Sequence, residues 1–160
     1  MTNEEKFLAA ALNAWKGNIE RADKMFSNLT AKELLNEVAP GRNRLIYLWG
    51  HLTAVHDAML PLLGFGPRRH PEYDDLFISK PDKATTTLPS GEDIKKSWTE
   101  ANSKLSEGFA TLSATDWLQR HSAVSEQDFA KEPLRNRFAI LLSRTNHLSH
   151  HLGQTALAPK

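Results

Sequence analysis

Apolar residues recur with a helical period from residue 3 to about residue 26, where Phe7, Leu8, Ala11, Ala14, Trp15, Ala22 and Met25 fall on one face. That stripe predicts a first helix. "LTAKELL" follows with Thr30 and Glu33 in capping-box relation, which predicts a short helical turn before the break at "APG". A second helix is expected from about Arg42 to Leu63, with Pro61 ending or kinking its last turn. The stretch from Gly64 to Pro89 carries Pro67, Pro71, Pro81 and Pro89 and no sustained period, so it reads as a long connection. Periodicity restarts after Pro89, with Ile94, Trp98, Ala101, Leu105 and Phe109 on one face of a third helix. Ser113 and Asp116 in "SATDW" suggest another capped turn, and the chain to about Lys131 reads as loop. A fourth helix is expected from near Glu132, with Pro133 in its first turn, to about Ala156. No strand pattern lasts more than a few residues. The elements add up to an all-α fold, a four-helix bundle with one long crossover between the second and third helices.

At 160 residues the chain is expected to form a single domain spanning 1–160. Its formal charge of +1 provides no global field for a nucleic acid or an acidic membrane, so neither is expected as a partner. The amino terminus has acidic residues where a secretory signal would have basic ones, and no apolar run approaches the roughly 20 residues that span a bilayer. A cytoplasmic location is therefore expected. With no cysteine, disulfides, a thiol nucleophile and thiolate ligation are excluded, and any metal site must be built from His, Asp or Glu.

The candidate chemistry lies in "NHLSHHLGQ", residues 146 to 154. With His147 at zero and about 100° per residue, His151 falls at about 40° and His150 at about −60°. The pair four apart shares a face beside the apolar stripe of Phe138, Leu141, Leu148, Leu152 and Ala156. Two solvated histidines are the plain reading of such a pair; convergence on one metal ion is the sharper one. His51 strengthens the second, because it lies among Leu48, Val55, Ala58 and Leu62, and a buried imidazole needs partners for its ring nitrogens. A metal supplies one such partner.

Other polar positions carry weaker signals. Asn18 interrupts the first helix's stripe, first as a register-fixing hydrogen bond and second as a pocket residue. Tyr47 and Arg144 each lie one turn before a candidate ligand, where they would orient a substrate or bind an anion. His56 shares the second helix's other side with Trp49, Leu60 and Leu63, an apolar patch that predicts a homodimer. His70 and His121 read as solvated loop histidines.

These residues resemble the DinB-like superfamily of metal-binding four-helix bundles. The histidine of "GHL" in the second helix matches the family's first metal histidine, His51, and the HxxxHxGQ pattern of the last helix matches the other two, His147 and His151. Leu152 stands where family members often carry Arg, and the chain ends almost with the fourth helix. The resemblance implies a crossover between helices two and three, frequent dimers and a divalent metal held by three histidines. It also implies, for some relatives, transfer or isomerisation reactions that use low-molecular-weight thiols.

Three imidazoles leave an ion its full charge and at least one open position, the layout of a catalytic site. The donor set suits Zn or Ni first and Fe or Cu next, over Mg or Ca. The expected function is a metal-dependent enzyme acting on a small molecule, of thiol S-transferase or hydrolase type, with a small thiol as a candidate co-substrate. The tentative substrate pocket comprises Asn18, Tyr47 and Arg144, and no general base can be named. The rivals are a non-catalytic metal- or ligand-binding bundle in stress or detoxification, and a helical interaction module without metal.

Overall fold

The computed structural model describes residues 1–158. It is all-helical: α1 (Asn3–Ser27), α2 (Leu45–Leu63), α3 (Gly91–Phe109), α4 (Ala114–Trp117), α5 (Glu126–Lys131) and α6 (Arg137–Thr155). A 3-10 turn at Glu33–Leu35 and a π-helical turn at Asp75–Ser79 complete the set, and among the described residues extended pairing is limited to two isolated bridges. No helix among them is long and apolar enough to cross a membrane.

Local chemistry sets the helix starts. Thr2 with Glu5, Ser90 with Asp93 and Ser113 with Asp116 form reciprocal capping boxes at α1, α3 and α4, each satisfying donors that the first turn leaves free. The last helix begins five residues later than Pro133 suggested. The Asn136 side chain accepts from the amide of Ala139 and caps α6, while its own amide donates to the Pro133 carbonyl, so Pro133 belongs to the preceding turn. The segment before it is not wholly loop either, because Ser125 accepts from the amide of Asp128 and starts the short α5.

α2 is the axis of the molecule. Almost all of its residues are buried, as expected of a helix apolar on every side. Around its first half pack Ala22 and Phe26 of α1, Ile94 and Trp98 of α3 and Leu148 of α6; around its second half pack Trp15, Leu105, Phe109, Trp117 and Leu141. This arrangement corrects the expected interface patch. Trp49, His56, Leu60 and Leu63 are buried inside one chain, with Trp49 stacked on Phe26 and His56 held between Trp15 and Trp98. Any pairing of copies must use another surface.

The connection from α2 to α3 is strapped along α2. The buried Asp57 carboxylate accepts from Arg68 Nε at 3.1 Å and from the amides of Arg69 and His70 at 2.8 and 3.0 Å. Farther on, Asp82 accepts from the Arg44 amide and guanidinium, and the Tyr47 hydroxyl donates to the Lys80 carbonyl at 2.7 Å. These ties hold the π-helical turn against α2 beside His51. His70 is not a free loop histidine, since its ring lies 3.2 Å from Glu100, and His121 is partly buried with Nδ1 unpartnered among the described residues.

Candidate metal centre

α2 and α6 bring His51, His147 and His151 together. One nitrogen of each lies within 4.8 Å of the others, and the Nε2 of His147 stands 3.2 Å from that of His51 and 3.1 Å from that of His151. Ligands at the ordinary Zn–N distance of about 2.0–2.1 Å in a tetrahedral shell sit roughly 3.3 Å apart, so the three nitrogens already have the spacing of one coordination sphere. The rings meet edge to face, with centroids 4.5 to 5.1 Å apart.

The outer nitrogens decide which tautomers are present. His51 Nδ1–H donates to the Phe77 carbonyl at 2.8 Å, and His151 Nδ1–H donates to Gln154 Oε1 at 2.8 Å. Both rings therefore turn Nε2 lone pairs toward His147. A proton on His147 Nε2 can serve only one of them and leaves the other facing a lone pair. A proton on His147 Nδ1 instead leaves three lone pairs converging, with that nitrogen buried and unpartnered among the described residues. Taking up a further proton is no remedy. Burial, then the neighbouring His151 and His51, pushes the His147 pKa down to about 4, and burial is the leading cause that lowers His51 and His151 as well. Three acceptors around one point with no hydrogen to share are satisfied by a cation, so the donor set fits a divalent metal.

The family model for the DinB superfamily matches residues 14–155 of the chain. The chain belongs to the DinB superfamily. No curated protein matches it closely enough to lend this DinB-superfamily chain an activity.

Several residues that build the centre carry no obvious sign in the sequence. Phe77 acts through its backbone carbonyl, delivered by the π-helical turn, a rare conformation that recurs at functional sites. Its ring comes so close to α2 that a Cβ at Gly50 would lie 2.3 Å from it. The glycine of "GHL" is thus a legible trace of that approach. Gln154, the last residue of HxxxHxGQ, orients His151 and also lines a cavity of about 460 Å³ with Val38, Ala39, Arg42, Asn43 and Leu157.

The three expected pocket residues stand differently. The Asn18 amide donates to the Thr145 carbonyl at 3.2 Å and its oxygen accepts from Arg21, linking α1 to α6. Tyr47 lies parallel to the His51 ring at 6.5 Å, with its hydroxyl engaged by the Lys80 and Phe77 carbonyls. Arg144 has a buried Nε with no partner among the described residues. His150 projects outward and is exposed.

Proposed function

We propose that this chain is a divalent-metal-binding protein with His51, His147 and His151 as ligands, acting on a small molecule by thiol transfer or hydrolysis. The observation that carries the reading is the convergence of three neutral imidazoles, two of them held in the metal-binding tautomer by Phe77 and Gln154. The packing of α1, α3 and α6 around α2 supports a single four-helix-bundle domain, with residues 64–90 as its crossover.

Zn or Ni suits the donors best, with Fe or Cu next. A divalent ion held there supplies Lewis acidity and lowers the pKa of a water or thiol that meets it. The chain's own part is positioning. The Phe77 and Gln154 acceptors stop two imidazoles from rotating, so the site is formed before anything binds. All three histidines are only partly buried, which leaves one side open to a small molecule, and among the described residues no carboxylate joins the group to close its shell. An open shell is the mark of a reactive rather than a structural ion.

Elemental analysis of the untagged protein, beside His151→Ala, is the first test. About one equivalent of metal is expected in the wild type, and most of it should be lost in the variant with helical circular dichroism intact, because one open three-histidine site holds one ion. Full occupancy in His151→Ala refutes the site. A screen of small thiols against electrophiles, and of hydrolysable small substrates, then tests the reaction; metal without turnover leaves a non-catalytic metal-binding bundle.

A further inference from the structure

Three side chains on one stripe of α2 meet three points of the crossover. Arg44 is the N-cap of α2, and with about 100° per residue Arg44, Tyr47 and His51 project within about 60° of one another. They engage Asp82, Lys80 and Phe77 in that order, so the crossover runs down the stripe as a ladder. His51 Nδ1–H donates to the Phe77 carbonyl at 2.8 Å, and the Tyr47 hydroxyl donates to the Lys80 carbonyl at 2.7 Å. Both of these rungs end on backbone, which any residue could supply. The third ends on a side chain.

Asp82 Oδ2 accepts from the Arg44 amide at 2.7 Å, and its Oδ1 accepts from Arg44 Nη2 at 2.7 Å and from Nε at 3.1 Å. The Arg44 side chain caps nothing in its own helix, so a carboxylate 38 residues away satisfies one donor of the first turn. Only 3% of the Asp82 side chain is exposed, and a forked, nearly dry ion pair of this kind fixes direction as well as distance. The next residue, Lys83, has a φ of 71°, a left-handed value that no other non-glycine among the described residues adopts. Backbone held there is set by its surroundings, not by its own preference.

We propose that Asp82 is a positioning residue of the metal centre: by clamping the crossover to Arg44 it sets where the Phe77 carbonyl lies, and thereby holds His51 with Nε2 turned toward His147 and His151. This rests on the metal-binding reading above and adds a control on that site from outside it. Release of Asp82 lets the crossover shift along α2, and His51 then loses the acceptor that fixes its tautomer. Such coupling is reciprocal, so whatever tightens the crossover favours metal uptake, and metal uptake tightens the crossover.

The test measures two quantities on the full chain: the His51 tautomer in metal-free protein, by nitrogen–proton NMR correlation of the imidazole rings, and zinc affinity, by competition against a chelator. In the wild type His51 should hold the Nδ1–H form alone. Asp82→Ala should give a mixture of the two tautomers and lower zinc affinity about tenfold, the lower end of the effect of a group that orients a ligand. Asp82→Asn keeps an acceptor for the Arg44 amide, so α2 stays capped and both readouts should fall between wild type and Asp82→Ala. Ser113→Ala is the control, because it removes the cap of α4 beside the other half of α2 and should destabilise the fold without moving either readout. In double-mutant cycles Tyr47→Phe and Asp82→Ala should overlap in their effect on zinc, since both act through the crossover, whereas Gln154→Leu acts on His151 and should add to Asp82→Ala in full. An Asp82→Ala chain that keeps the wild-type His51 tautomer or the wild-type zinc affinity overturns the proposal, and so does a zinc loss that Ser113→Ala matches. Tautomer mixing in Asp82→Ala, in a protein whose wild type takes up no zinc, upholds the clamp on His51 and overturns the metal reading alone.

Discussion

Replacing Gly50 by alanine separates packing from metal binding in one experiment. Gly50 sits inside α2 directly before His51, and in an open helix position the change would stabilise by about 0.8–1 kcal/mol. Here the new Cβ would stand 2.3 Å from two ring carbons of Phe77 and 2.6 Å from a third. The ring cannot simply turn away, because Phe77 is fully buried and packs on Tyr47 and Tyr73 with centroids 5.8 and 5.2 Å apart. Overpacking of this kind costs about 1–3 kcal/mol, and expelling the ring altogether approaches the roughly 3–5 kcal/mol of a lost core phenylalanine. After the helix gain is offset, a net loss of about 2 kcal/mol is expected. Moving Phe77 also moves the carbonyl that holds His51 Nδ1–H, and loss of such a partner lowers metal affinity about ten- to hundredfold. Urea unfolding of the metal-free protein gives the first quantity, and zinc competition against a colorimetric chelator gives the second. Gly108→Ala is the control, since its Cβ would press on the Phe65 ring at 2.5 Å and should destabilise without touching zinc affinity. At Gly153 a Cβ meets nothing within 4 Å among the described residues, so Gly153→Ala should stabilise slightly. A Gly50→Ala protein as stable as the wild type with unchanged zinc affinity would refute the reasoning, and equal zinc losses in Gly50→Ala and Gly108→Ala would mean general loosening.

Gln154→Leu removes the acceptor of His151 Nδ1–H and should weaken zinc binding about ten- to hundredfold in calorimetry, with unfolding free energy within ~0.5 kcal/mol because Gln154 is only partly buried; unchanged zinc affinity would count against its orienting role. His56 is fully buried, and burial pushes its pKa down to about 3. The unfolded chain therefore takes up this proton first, so the stability it contributes is full above about pH 6.5 and lost as pH falls toward 3, by ~2–3 kcal/mol at pH 4.5. Denaturant unfolding of metal-free protein should lose this much stability with acid, and His56→Gln should flatten the slope; parallel slopes in the two proteins would exclude His56 as the source.

Much of the helical pattern was open to local reading. The apolar stripes of α1 and α3 and the capping pairs Thr30–Glu33 and Ser113–Asp116 involve residues within a turn or two of each other, so their physics is contained in short segments. Where two local signals competed, the reading failed: Pro133 suits a first turn, but the Asn136 side chain provides the hydrogen bond that starts α6. The supposed interface on α2 failed for a different reason. Periodicity says that Trp49, Leu60 and Leu63 want burial and is silent on what buries them, and in the folded chain α1 and α3 do so.

The sequence by itself determined the all-helical composition, the absence of any thiolate ligand and the three histidines on matching faces of two helices, because residue type and helical spacing are properties of the chain. Only the tertiary structure decided that the three Nε2 atoms meet, that His51 is held by a carbonyl 26 residues away, and that the buried Arg144 Nε finds no partner among the described residues while Tyr47 and Asn18 are engaged. The tautomer an imidazole presents depends on the acceptor behind it. Here one acceptor is a backbone carbonyl in a π-helical turn, a group that every residue carries and no pattern of side chains reveals.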